Sequence, residues 1–162
     1  PQARADALVG LAADALGIGR LALSARLLQR AATVSGTPRQ DVRLQWVSAE
    51  LAMVGGDGAT ALRHAERAVE LADTLGSVRH RAKSQVVLAA ALCCTGDLNE
   101  ARRVADAAFT LTAEFGLVPL HWAVGCLLAD IGSAGGSAAA ITAARDLAAE
   151  TIRNRGGVWS RH

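Results

Sequence analysis

The stretch TGDLNEARRVADAAFTL, residues 95–111, opens on Gly96-Asp97 and continues with Ala101, Ala105, Ala108 and Leu111. Those last four fall on one stripe of an α-helix, and the Asp97 carboxylate suits the unpaired amides of a first helical turn. The same phrase stands 40 residues upstream, where Gly56-Asp57 is followed by Ala61, Ala65, Ala68 and Leu71. A repeated turn with a repeated apolar stripe makes the chain an array of similar units.

Working outward, Gly36, Gly76, Gly116 and Gly156 also lie 40 apart, each closing a helical stretch, and Gly136-Ser137 continues the Gly56 and Gly96 series. Before the turns, Leu8, Leu88 and Leu128 recur, with Val9, Ala49, Ala89 and Ala129 holding the next phase and Ser48 breaking the leucine series. Each unit is therefore two antiparallel helices, with helices expected near 3–16, 19–35, 39–55, 58–75, 79–95, 98–115, 119–133 and 137–155. The units fall at about 1–36, 37–76, 77–116 and 117–156 with a short tail, read as one domain over 1–162. A lone helix pair cannot bury its apolar face, so stacked pairs predict an all-α fold, an α-solenoid. The ends look weaker: Leu16-Gly17 replaces the Gly-Asp turn, and GSAGGS (132–137) loosens the last one.

Composition agrees with helices. Of 162 residues 36 are alanine and none is tyrosine, and the three prolines (Pro1, Pro38, Pro119) interrupt no long periodic segment. The 17 basic and 15 acidic residues are interspersed, for a formal charge of +2, so no strong field draws nucleic acid or anionic lipid. The longest apolar run, Val86 to Cys94, is half of the roughly 20 residues a membrane-spanning helix needs. No signal segment opens the sequence and three cysteines make no disulfide framework, so a reduced, cytoplasmic chain is expected. A start at Pro1 without methionine is the expectation for an excised or processed segment.

Residues 95–111 resemble the second half of a tetratricopeptide repeat, through Gly96, Asp97, Ala101 and Ala108, with Leu88, Ala89 and Leu92 similar to the family's large, small, large triplet. Gly56, Asp57, Ala61, Ala68 and Ala49 carry the same likeness one unit earlier, and the resemblance is strongest over 40–116. The usual first-helix tryptophan is missing from its place. The resemblance implies a right-handed superhelix whose first helices line a concave groove. The 40-residue period, with ELADTLGSVRHRAKS (70–84) and LTAEFGLVPLHWA (111–123), resembles the regulatory arms of LuxR-type (STAND) transcription regulators. That likeness implies signal transduction or transcription regulation, with a small effector or the regulator's own ATPase domain as ligand.

In that geometry the groove residues are Arg43, Trp46, Glu50 and Met53, then Lys83, Val86, Ala90 and Cys93, then Ala123, Cys126, Asp130 and Ser133, with Asp6 and Gly10 in the first unit. Trp46 and Met53 can grip an apolar side chain, and Arg43 and Lys83 can hold a carboxylate. Trp46 equally suits packing between helix pairs, and the charges suit solvated edges. The basic run VRHRAK (78–83) reads as a wet joint between units, and Trp159 as a cover for the last helix or a contact with something beyond it.

Nothing here composes an active site. Cys93 and Cys94 are helix neighbours whose side chains diverge by about 100°, so they cannot readily form a bridge; Cys94 reads as packing and Cys93 as one wall of the groove. No CxxC, metal-ligand spacing, nucleophile-base order or phosphate loop occurs, LGIG (16–19) lacking the following Gly-Lys-Ser/Thr. The expectation is a protein-binding scaffold without catalysis, metal or cofactor, whose partner is a protein or peptide. Uncapped solenoid ends also leave self-association open.

Overall fold

Glycine turns and their caps set the limits of eight helices among the residues described by this computed structural model, 2–34 and 36–158. They are α1 (Gln2–Gly17), α2 (Leu21–Ala32), α3 (Pro38–Val54), α4 (Gly58–Thr74), α5 (Val78–Thr95), α6 (Leu98–Glu114), α7 (Val118–Ile131) and α8 (Ala138–Asn154). No strand occurs among the described residues. Trp159 lies outside them.

At Gly56 and Gly96 φ is 77° and 86°, a left-handed conformation that a Cβ would strain. The next amide can then reach back over the helix end, Asp57 N–H donating to the Ala52 carbonyl at 2.9 Å and Asp97 N–H to that of Leu92 at 3.1 Å. The same aspartates open the following helices, accepting from the amides of Thr60 at 3.0 Å and Glu100 at 3.1 Å. One dipeptide thus closes a helix and starts the next. Thr37 and Gln40 form a reciprocal capping box at α3, with Pro38 in the first turn.

The first and last turns differ from expectation. The first sits at Gly19-Arg20 instead of Leu16-Gly17, with φ 75° at Gly19 and Arg20 as a cap residue that makes no side-chain bond. Without a carboxylate cap α2 spans 12 residues where α4 and α6 span 17, and the expected 19–35 shrinks to Leu21–Ala32. In the last, the left-handed glycine is Gly132, not Gly136. That loop is pinned rather than loosened: Asp106 on α6 accepts from Ser133 Oγ at 2.6 Å, Ala134 N–H at 2.9 Å and Gly135 N–H at 3.2 Å. Arg102 Nε adds a bond to the Ile131 carbonyl at 2.7 Å.

Each odd-numbered helix packs on its even partner and each even helix on the next odd one. Helices α1, α3, α5 and α7 also touch in turn, whereas the even helices do not touch one another. A row in contact, backed by a row that is not, curves toward the contacting side, so the odd helices form the inner layer of an α-solenoid. The recurring alanines permit the close approach: Ala49, Ala61, Ala65, Ala68, Ala89, Ala101, Ala105 and Ala108 are all 0 % exposed. The small-residue series ends at Ala129, which is exposed in the last turn of α7. The core is three clusters, one at each joint between units, as expected of a chain in which units contact only their neighbours.

Candidate functional site

Cations repeat along the inner layer. Arg39 and Arg79 lie in the first turns of α3 and α5, and Arg43 and Lys83 one turn on, each pair 40 residues apart. Helix amides at an N-terminus point their positive ends outward, so cations here oppose the helix dipole.

Between these cations lies Trp46. It is 8 % exposed, and its indole N–H donates to Ser84 Oγ on α5 at 2.8 Å. The Ser84 hydroxyl in turn donates to the Ala68 carbonyl on α4 at 3.2 Å, so one polar chain ties three helices together. His80 stacks on the indole at 5.4 Å between ring centres, its Nδ1 2.8 Å from Ser77 Oγ. Burial, then the charges of Arg39, Arg79 and Arg43, hold the imidazole below its usual range and keep it neutral. Lys83 Nζ stands 6.0 Å from the indole centre and donates to Glu50 at 2.6 Å. Arg43 pairs with Asp6 on α1. Both ion pairs bridge neighbouring inner helices, and being partly exposed each contributes only about 0–1 kcal/mol. Arg39 and Arg79 are exposed and carry no ion pair among the described residues.

No family model, curated protein or solved structure matches the chain.

Of the residues predicted from sequence, Trp46, Glu50 and Lys83 come together, Lys83 reaching both the indole and Glu50, and the charge of Arg43 acts on the His80 ring that stacks on Trp46. Met53 instead packs against the cluster at the α3–α5 joint, and Val86 and Cys93 against the next one. Cys126 is half-buried and Asp130 exposed, both on α7, one helix beyond the cations. Burial raises the thiol pKa of Cys93 and of Cys126, which disfavours their nucleophilic thiolates. Among the described residues no three His, Cys, Asp or Glu side chains are grouped to hold a metal ion, and no helix is long and apolar enough to cross a membrane.

Sequence reasoning missed Arg39 and Ser84. Arg39 was visible as the 40-residue partner of Arg79. Ser84 was not, because it meets Trp46 across a spacing of 38 residues, out of step with the repeat. The run VRHRAK divides: Arg79 and Lys83 join the inner cations, while Arg81 lines a small cleft with Asp73 at the joint to α4.

Proposed function

We propose that the chain is a non-catalytic, tetratricopeptide-like scaffold that takes an acidic peptide, or an acidic segment of a partner protein, along its inner face. The observation that carries this reading is the doubled cation pair, Arg39 with Arg43 and Arg79 with Lys83, in which Arg39 and Arg79 stand in first turns where stability alone favours acids. Asp6 and Glu50 support it further, since each is a carboxylate already seated on one of these cations. A partner's carboxylates can add to Arg39 and Arg79 or exchange with Asp6 and Glu50, with guanidinium forks offering paired donors.

The test is fluorescence anisotropy with two labelled decapeptides, one alternating Glu and Leu and one alternating Lys and Leu. Selective binding of the acidic peptide, weakening as salt is raised, is expected. In the Arg39→Glu, Arg79→Glu variant affinity should fall at least about tenfold while the melting temperature holds or rises, because acids in a first turn gain about 0.3–1 kcal/mol each. Equal binding of both peptides, or an unchanged affinity in that variant, would count against the proposal.

A further inference from the structure

The joint between the third and fourth units differs from the one before it in a way that the fold does not require. A cavity of about 260 Å³ lies between the end of α6, the start of α7 and α8, lined by Thr112, Val118, His121, Ala144, Leu147 and Thr151 among others. At the corresponding place 40 residues earlier, Asp73 and Arg81 line a cleft of about 60 Å³. Several sequence changes run in the direction of the difference. Arg81 becomes His121, Val104 becomes Ala144 and Leu111 becomes Thr151, each a smaller side chain, while Asp73 becomes Ala113 and removes a charge. In the opposite sense, Ala72 becomes Thr112, and Ala107 becomes Leu147, an apolar wall that is 64 % exposed.

The polar atoms around this space are nearly all engaged. Thr151 donates its hydroxyl to the Leu147 carbonyl at 2.8 Å. Thr112 directs its hydroxyl proton to the carbonyls of Ala108 at 2.8 Å and Phe109 at 3.0 Å. Its oxygen, 3.0 Å from His121 Nδ1, is thereby left to accept, which puts the ring proton on Nδ1 and a lone pair on Nε2. The ring is held by stacking on Phe109, 4.1 Å between centres. The ring's hydrogen bond to the Phe109 backbone falls on the same side, since Thr112 Oγ1 lies 3.0 Å from both the Phe109 carbonyl and Nδ1, and this leaves Nε2 as the ring's acceptor.

We infer that this cavity is a binding site for a small, uncharged, mostly apolar molecule bearing one hydrogen-bond donor, which His121 Nε2 accepts. Ligand sites for drug-sized molecules run from about 300 to 1,000 Å³, so the occupant here is of the size of a phenol or an indole. The site lies away from the inner cations and does not rest on the peptide-binding reading.

Indole, and indene as its counterpart without an N–H, are titrated into the intact chain by calorimetry, with amide chemical shifts followed in parallel. Indole should bind saturably at one site, shifting the amides of Gly116, Val118 and Leu147, and indene about tenfold more weakly, the worth of one hydrogen bond. Ala144→Val with Thr151→Leu restores the residues of the preceding unit and should reduce indole affinity at least about tenfold. His121→Phe keeps the stacking and should bring indole and indene to equal affinity. Absence of saturable indole binding, or shifts confined to other joints, would overturn the site even if the filled variant failed to fold. Equal affinities of indole and indene in the natural sequence would overturn the donor requirement.

Discussion

Trp46 and Gln85 show what single residues contribute and how far each is legible from the chain. The phase of the repeat puts Trp46 on an inner helix, but only the structure supplies Ser84 and Ala68 as the polar chain that fixes it. Trp46→Ala should therefore cost about 3–5 kcal/mol in denaturant unfolding, as for other large buried side chains, and Trp46→Phe about 1 kcal/mol. A Trp46→Ala protein of unchanged stability would show the indole to be idle in packing. Gln85 presents the opposite case, a buried side-chain oxygen without a hydrogen bond. One unit earlier its counterpart Gln45 meets His64 at 2.7 Å, and the residue 40 positions beyond His64 is Val104. The acceptor was kept while its donor was lost. Gln85→Leu removes the unpaired group and should raise stability by about 1 kcal/mol, read as a melting temperature higher by about 2–4 °C. Here the spacing alone contained the answer, since all four positions obey the repeat.

At the scale of elements, the helix starts follow from short-range chemistry and were correspondingly easy to read. Asp57, Asp97 and Ser137 each accept from the amide three residues on, so the beginnings of α4, α6 and α8 agree with sequence to within a residue. The exception tests the rule. Arg20 has φ −83° and ψ 63°, close to the −79° and 71° of Asp97, yet lacks an oxygen to offer. Arg20→Asp should supply the missing cap without backbone change, gaining about 1 kcal/mol and increasing helical ellipticity. If stability falls instead, a contact of the Arg20 side chain outweighs the cap. The loop at 132–137 was misread for a physical reason. Its anchor is Asp106, 27 residues before Ser133, and side-chain bonds over such distances leave no periodic trace in sequence. The inner cations were partly legible for the converse reason, because Arg43 and Lys83 repeat with the helices that carry them.

For the whole molecule, stability is shared among joints, and three of them hold a histidine kept neutral by its surroundings. His64, His80 and His121 all have pKa values below 6.5, in each case chiefly through burial, with neighbouring arginines adding to the effect at His64 and His80. At His121 a hydrogen bond to the Phe109 backbone opposes the shift without cancelling it. Below pH 6.5 the unfolded chain takes up protons on these rings before the folded chain does, so the unfolded state binds more protons and stability rises with pH. The histidines thus cost nothing above about pH 7 and destabilise progressively as the pH falls from 6.5 toward their folded values. Asp57 and Glu100, lowered mainly by side-chain hydrogen bonds from Thr60 and Arg103, act in a separate window near and below their ordinary values of 3.8 and 4.5. Melting followed from pH 8 to pH 5 should therefore show a plateau and then a decline that begins near neutrality, well before Asp57 and Glu100 titrate. His80→Gln should make the decline shallower, because it removes the ring set against three arginines while leaving the other two in place. A melting temperature constant from pH 7.5 to pH 5.5 would mean that these rings are as easily protonated in the solenoid as in the unfolded chain, and that its joints open to water far below the melting point.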